Sequence, residues 1–310
     1  MRLWACILGV PLALGVLSTN PLFADGGGAN AYEQLLVGAR PLGMGGAFTG
    51  LADDVTAVFF NPAGISALQQ KEAIAMHAST SFDRQFNFVA VTAPNHKGDS
   101  GWGISYTRFS IDGIPETRLQ PGSLTTPITN PDGTVTIFSL FDDVEENLAV
   151  SYGWKIDDKL RVGGTIRIDH RELFGNVADG AGMDLGALYQ ATNDVRLGFT
   201  VQHLFEGMRE EDNGTQHRDD VPMQAAVGVA VRGWKDAMYV ADIFAIEGDH
   251  VGIRAGVEKW WNDHYALRTG INDGDFSVGA SVKYQAFQFD YAYQTQDLGD
   301  INRVDLIYRW

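Results

Sequence analysis

Seven histidines, at positions 77, 96, 170, 203, 217, 250 and 264, are the residues of this chain best suited to proton transfer or metal binding. They are scattered, and because metal ligands recur at short fixed intervals and no two of these histidines do, the spacing argues against a metal site. A serine hydrolase raises its nucleophile on a sharp turn written Gly-x-Ser-x-Gly, and no such pentapeptide occurs. The acidic runs Asp142-Asp143-Val144-Glu145-Glu146 and Glu210-Glu211-Asp212 lack the alternating ligand spacing of a calcium loop and read as solvated connections. The expectation is a chain without catalytic residues, metal or cofactor.

A second polar set is more orderly. Arg161, Arg167, Arg171, Arg196, Arg232, Arg254, Arg268 and Lys283, with Asp169, Asp184, Asp242, Glu258, Asp290 and Asp305, all fall in the polar phase of segments that alternate with period two. Mixed charges on one face of such strands either fill a lumen by pairing or line a gated polar path.

Alternation is the dominant pattern of the chain. Phe276, Val278, Ala280, Val282 and Tyr284 alternate with Ser277, Gly279, Ser281, Lys283 and Gln285, and Val304, Leu306, Tyr308 and Trp310 end the chain in the same phase. Further segments follow the period at 147–155, 160–169, 182–191, 195–202, 221–232, 237–246, 250–259, 264–272 and 287–294. It is weaker at 73–82, 86–93 and 101–109. Each has about the 9 to 11 residues of a tilted membrane strand, longer than the strands of a soluble sandwich. The predicted fold is all-β, a transmembrane antiparallel barrel of about 14 strands. Trp154, Trp234, Trp260, Trp261 and Trp310 sit at segment ends, where amphipathic rings suit a headgroup boundary. The longest connections, 110–144, 172–181 and 206–220, all fall on one side and predict long external loops.

The start of the chain reads as an address. Met1-Arg2 precedes an apolar run from Leu3 to Leu17, too short to span a bilayer, and cleavage is expected after Ala24. Cys6, the single cysteine, lies in that run, so a mature chain has none. The net charge of -16, from 23 basic and 39 acidic residues, argues against nucleic acid as a partner.

Between the leader and the first strand, residues 25–72 do not alternate. They carry Gly38-Ala39-Arg40-Pro41-Leu42-Gly43-Met44-Gly45-Gly46-Ala47-Phe48, then Asp53 to Phe60, a candidate short helix that Pro62 would stop, within Asn61-Pro62-Ala63-Gly64. A compact insert ahead of a barrel at 73–310 reads as a small N-terminal plug. Both motifs resemble the FadL-like superfamily of outer-membrane barrels and, within it, the PorV/PorQ branch, and the Asn-Pro-Ala triplet is similar to the plug motif of long-chain fatty-acid transporters.

FadL-like members are expected to carry hydrophobic small molecules through a lateral opening, and PorV-like members to handle secreted proteins. The resemblance therefore implies passive hydrophobic transport across the outer membrane, with a secretion or scaffold barrel that binds protein partners through its external loops, 110–144 and 206–220, as the alternative. The plug or gate falls on Gly43, Gly45, Gly46, Asn61, Pro62 and Ala63. A lateral opening is expected at Gly101 and Gly103, where alternation weakens. Arg161, Arg167, Asp184, Arg254, Arg268, Lys283 and Asp290 are expected to face the lumen. Tyr308 and Trp310 are expected to be read by the barrel-insertion machinery, and the remaining partner is outer-membrane lipid.

Overall fold

The computed structural model describes residues 35–79, 84–95, 97–123, 125–212, 215–296 and 299–310. The expected leader and its cleavage point lie outside them. Among the described residues the strands are β1 Glu72–Ser79, β2 Arg84–Pro94, β3 Ser100–Glu116, β4 Ser139–Lys155, β5 Leu160–Leu173, β6 Asn176–Gln190, β7 Val195–Asp212, β8 Thr215–Asp220, β9 Gln224–Arg232, β10 Met238–Ile246, β11 Val251–Trp261, β12 Tyr265–Asn272, β13 Asp275–Tyr284, β14 Phe287–Gln294 and β15 Ile301–Arg309.

Fourteen of these form a closed antiparallel ring, with β7 pairing directly to β9 and β15 returning to β1, while β8 pairs only with β7 and stands off the wall. Closure leaves the wall without an edge, the condition under which strands can cross a bilayer. The closing seam runs from Glu72 opposite Arg309 to Ser79 opposite Asn302. Lys71 and Trp310 exchange backbone hydrogen bonds of 3.2 and 3.1 Å beside it, and Arg309 Nε meets Glu72 Oε1 at 2.9 Å.

The period-two pattern sets which way each side chain points. On β12, Leu267 and Ile271 are exposed while Arg268 is buried, and on β14 Phe287, Phe289 and Tyr291 are exposed while Gln288 and Asp290 are buried. A water-soluble protein buries the opposite set. At one rim, tight turns join the strands. Asn262 and Asp263 take positive φ at 52° and 57°, and the Asp157 carboxylate accepts the amides of Lys159 at 2.7 Å and Leu160 at 2.8 Å. Exposed Trp102, Trp154, Trp234, Trp261 and Trp310 ring this same rim. Trp260 departs from the expected girdle, because it is half-buried beneath the Arg268 guanidinium, 5.6 Å from its ring centre.

The opposite rim corrects the loop assignment. Residues 172–181 are not a long loop, since only Phe174 and Gly175 join β5 to β6, both at positive φ. Likewise β3 and β4 extend the wall to Glu116 and Ser139, and much of 206–220 is the β7–β8 hairpin. Polar residues such as Asp112, Asp142 and Asp179 hid these extensions, because strand rising above an apolar band has no reason to alternate in polarity.

Residues 35–68 lie inside the ring. They fold as α1 Ala39–Gly43, α2 Ala57–Phe60 and a 3-10 helix Pro62–Ala67. Pro62 starts that last helix instead of stopping its predecessor: α2 ends at the extended residue Asn61, φ -161°, and the proline takes the first helical position, where a missing N–H costs nothing. The main apolar core forms between this segment and the inward residues of β1, β2 and β15, including Ile74, Met76, Phe86, Phe88, Ile301 and Ile307. The weak alternation at 73–93 follows, because both faces of those strands meet apolar surroundings.

Candidate functional site between plug and wall

The inserted segment is seated against glycines. Cβ atoms added at Gly153 and Gly163 would lie 2.4 Å from the Pro62 backbone, one at Gly186 2.2 Å from Asn61 Oδ1, and one at Gly198 2.1 Å from the Thr49 carbonyl oxygen. Around the ring the contact continues, with Gly256 against Met44, Gly270 against Gly45 and Gly279 against Gly43. Nine of the fourteen wall strands thus offer an inward position with no side chain, which lets the segment's backbone approach the wall closely. Gly45 itself has φ 66°, and a Cβ there would sit 2.2 Å from the Ile271 carbonyl oxygen, so its glycine is required twice over.

Several backbone groups of the segment find partners on the wall, most of them charged. Wall carboxylates accept amides: Asp242 takes Phe48 N and Thr49 N at 2.9 Å each, Glu72 takes Val55 N at 2.9 Å, and Asp305 takes Ala39 N. Wall arginines and an amide donate to carbonyls: Arg161 to Ser66 at 2.6 Å, Arg196 to Leu51 at 2.6 Å, Arg303 to Leu35 at 2.9 Å and Gln202 to Phe59 at 2.8 Å. From the segment side, Asn61 Nδ2 reaches Thr49 O at 2.9 Å and Ala187 O on β6 at 3.1 Å, while Asn61 Oδ1 accepts Ala63 N at 3.2 Å. A side chain serving two carbonyls and one amide at once explains the Asn-Pro-Ala triplet physically.

Arg40 is the charged hub. Its Nη1 meets Asp53 at 2.6 Å and Asp54 at 2.7 Å, and its Nε and Nη2 grip both oxygens of Glu258 on β11 at 2.8 Å. Burial opposes the guanidinium charge, but Asp53, Glu258 and Asp54 outweigh it and hold the group above its ordinary pKa. Arg268 joins the same Glu258 at 2.6 Å and lies 3.6 Å from Asp290, which also accepts Gln288 Nε2 at 2.8 Å. Arg40 was missed as a site residue; the signal lay in a lone cation inside a glycine-rich segment followed by Asp53-Asp54.

The expected lumen-facing residues divide into groups. Arg161, Arg268 and Asp290 belong to the plug contacts above, and Arg254 packs over Phe244 at 3.9 Å with Nε 3.2 Å from Asn272. Arg167 and Asp184 form a separate buried pair with Glu206 and His203 nearby. Lys283 is half-buried at the tight-turn rim, apart from both. Tyr308 and Trp310 are exposed and stacked at 5.4 Å.

Gly101 and Gly103 lie on β3, as expected. Strands β2 and β3 pair without interruption from Pro94 opposite Gly101 to Arg84 opposite Ile111, and a Cβ at Gly103 would meet Val58 at 2.4 Å. These glycines make room for the plug, and no gap opens the wall there. Pairing is irregular instead between β6 and β7, where the register shifts twice between Ala181 and Leu185. Beside these shifts His203 and Phe205 take positive φ, and Phe205 is 84% exposed. Next to it a cavity of about 800 Å³ opens on the outside, lined by Val177, Phe205, Arg209 and Arg218 among others.

A closed fourteen-stranded barrel with a segment locked in its lumen defines the class as a plugged β-barrel. The chain belongs to the uncharacterised protein family UPF0164, whose model matches residues 25–191. No curated protein matches it in sequence. Among solved structures it is similar to the Ralstonia pickettii toluene transporter TbuX, with 15% identity, TM-score 0.60 and coverage of 88% of this chain and 98% of the other. The CymD monoaromatic hydrocarbon channel gives 10% identity, TM-score 0.63 and coverage of 88% and 97%. A Pseudomonas aeruginosa FadL homologue gives 12%, 0.54, 86% and 96%. These likenesses establish the FadL-like barrel fold.

Proposed function

We propose that the chain is an outer-membrane barrel that passes hydrophobic small molecules, with residues 25–72 as a plug closing a wall at 73–310 and residues 1–24 as a cleaved leader. The tight-turn rim is then periplasmic. The carrying observation is that, among the described residues, the segment inside the lumen contributes no strand to the wall and its hydrogen bonds to the wall each involve a side chain, so it can shift while every wall hydrogen bond between strands persists. Burial of nearly all of residues 36–66 supports reading the described state as a closed one. That TbuX is a toluene transporter and CymD a monoaromatic hydrocarbon channel supports a hydrophobic cargo and a role without catalysis. The double register shift at Ala181 to Leu185, beside exposed Phe205, makes the β6–β7 junction our candidate for release through the wall, in place of Gly101 and Gly103.

The test replaces Asn61 and Pro62 with alanine and measures uptake of a hydrophobic fluorophore into cells beside planar-bilayer conductance and heat-resistant gel migration. Altered uptake or ion leakage with intact migration supports the plug as gate. Unchanged uptake and conductance in a plug loosened by protease criteria would defeat it.

A second reading, the secretion or scaffold barrel of the PorV/PorQ resemblance, draws on the β3–β4 extension, where Leu140 at the end of β4 and Ile137 and Phe138 just beyond it are exposed. Deleting 117–138 would then abolish export of a secreted protein and leave uptake unaltered.

A further inference from the structure

On the outer face of β3 to β8 the apolar band ends along one register. Tyr106, Leu148, Ile168, Ala181 and Gly207 are cross-strand neighbours on β3 to β7, and the next outward row, farther from the tight-turn rim, is Arg108, Glu146, His170, Asp179, Arg209 and Arg218. A change from uncharged to charged positions at one height marks the border of the hydrocarbon layer. Most charges of this row are matched. Arg108 lies 3.9 Å from Glu146, His170 Nδ1 is 2.8 Å from Asp179, and Arg218 Nε is 2.7 Å from Asp220. Arg209 is the exception. Asp179, its neighbour on β6, is bonded to His170 instead, and among the described residues the Arg209 guanidinium has no ion-pair partner. Across the hairpin it faces Arg218, a like charge directly opposite.

Below the two arginines the surface is notched. Ala181 and Gly207 give the row beneath little bulk, and the Arg218 side chain lies across Gly207, where an added Cβ would come 2.8 Å from its Nε. One outward position lower, inside the apolar band, Phe205 is 84% exposed, the highest value among the large apolar side chains described. The irregular pairing of β6 and β7 aims it away from the wall. The cavity of about 800 Å³ at this place therefore has two guanidinium groups on its headgroup side and an aromatic ring at the level of the acyl chains.

We propose that this notch holds one acidic glycerophospholipid, its phosphate on Arg209 and Arg218 and an acyl chain laid over Phe205. The proposal rests on the membrane-spanning reading of the wall. Guanidinium forks match phosphate oxygens in a planar, two-pronged geometry, and an anion seated between Arg209 and Arg218 turns their repulsion into two attractions. The unmatched charge of Arg209 sets the preference for a headgroup of net negative charge. A lipid suits the site better than a free anion. The chain carries a net charge of -16 and Asp179 and Asp220 border the arginines, so a small anion arriving from water meets an opposing field. A lipid is already held at this height by its acyl chains, and the apolar contact with Phe205 adds to the charge attraction.

The test is native mass spectrometry of the barrel in mild detergent, titrated with phosphatidylglycerol or with phosphatidylcholine of the same acyl chains. One phosphatidylglycerol bound in preference to phosphatidylcholine is the expected result. Arg209→Gln should lower the phosphatidylglycerol affinity about fivefold, and Arg209→Gln with Arg218→Gln about twenty-fivefold. Ala181→Trp faces outward and fills the notch, so it should abolish the preference. Arg108→Gln, in the same charged row but beside no notch, should leave it unaltered, and heat-resistant migration shows that each variant is folded. Equal retention of the two lipids, glycerol phosphate competing as well as the lipid, or an unaltered affinity in Arg209→Gln would overturn the proposal. Membrane fractionation separates the two readings. A chain absent from the outer membrane refutes the spanning wall and the lipid site together, whereas a folded membrane barrel without the lipid preference refutes the site alone.

Discussion

Arg40 and Glu258, 218 residues apart, form a two-pronged ion pair in which Nε and Nη2 of the guanidinium each lie 2.8 Å from a carboxylate oxygen. The pair ties the plug to β11, and no element of secondary structure spans that junction. Removing one partner of a buried pair typically costs about 3–5 kcal/mol, because the other is left uncompensated. Arg40→Ala should therefore raise bilayer conductance and expose the 35–70 segment to protease while the barrel keeps its heat-resistant migration. Arg40→Lys should lie between the two, since an ammonium keeps the charge but cannot grip both oxygens. Wild-type protease resistance in Arg40→Ala would show that the hub does not hold the plug.

The glycine seats predict a position-specific effect. Gly198→Ala puts a carbon 2.1 Å from the Thr49 carbonyl oxygen, whereas Gly164→Ala meets nothing nearer than 3.5 Å. Overpacking of the first kind costs about 1–3 kcal/mol, so urea titration of refolded protein should separate the two variants by that amount. Equal midpoints would mean that the plug sits more loosely than its contacts indicate.

Face alone does not decide tolerance to charge. Val278→Arg should cost about 2–4 kcal/mol if it lies near midplane. The alternation by itself would spare Ser281, which points inward. In the structure Ser281 is 3% exposed and bridges Arg268 to Asp290, so Ser281→Arg should also impair folding, by crowding and like charge. Yield of heat-resistant barrel in refolding trials checks both variants, and a fully tolerated Ser281→Arg would indicate a wetter lumen than the one described.

Tyr308 and Trp310 allow structure and assembly to be told apart. Trp310 binds Lys71 through its backbone, so Trp310→Ala keeps the closing seam and loses only the ring stacked on Tyr308. If the terminal aromatic is an assembly signal, Trp310→Ala should insert poorly in cells yet refold normally from urea into detergent. Normal insertion in cells would remove the assembly role.

The Asp157 turn carries a modest pH dependence. Amides of Lys159 and Leu160 hold its carboxyl below the ordinary aspartate value. Its contribution is therefore present above the unfolded value of about 3.9 and is lost as pH falls through the lower folded one. Carboxyl NMR in detergent should find Asp157 titrating below that reference, and a value above it would rule out the turn's two hydrogen bonds in solution.

Period-two polarity is a local property of the chain, which is why the wall strands, the outward set Leu267, Phe289 and Tyr308 and the inward set Arg167, Arg268 and Asp290 were legible from residue types alone. The break in that period also marked the plug and its Asn61-Pro62-Ala63 motif. Tertiary contact decided the rest. Nothing near Gly101 and Gly103 in the sequence distinguishes a glycine that opens a wall from one that makes room for Val58 and Ile65, because that depends on a segment about 40 residues earlier folding back into the lumen. The same holds for Arg40, whose partner is chosen by how the plug seats against β11, and for β1 and β2, whose inward apolar residues weakened their own signal. A strand reports which way its side chains point, but what they meet is fixed only when the ring has closed around the segment that fills it.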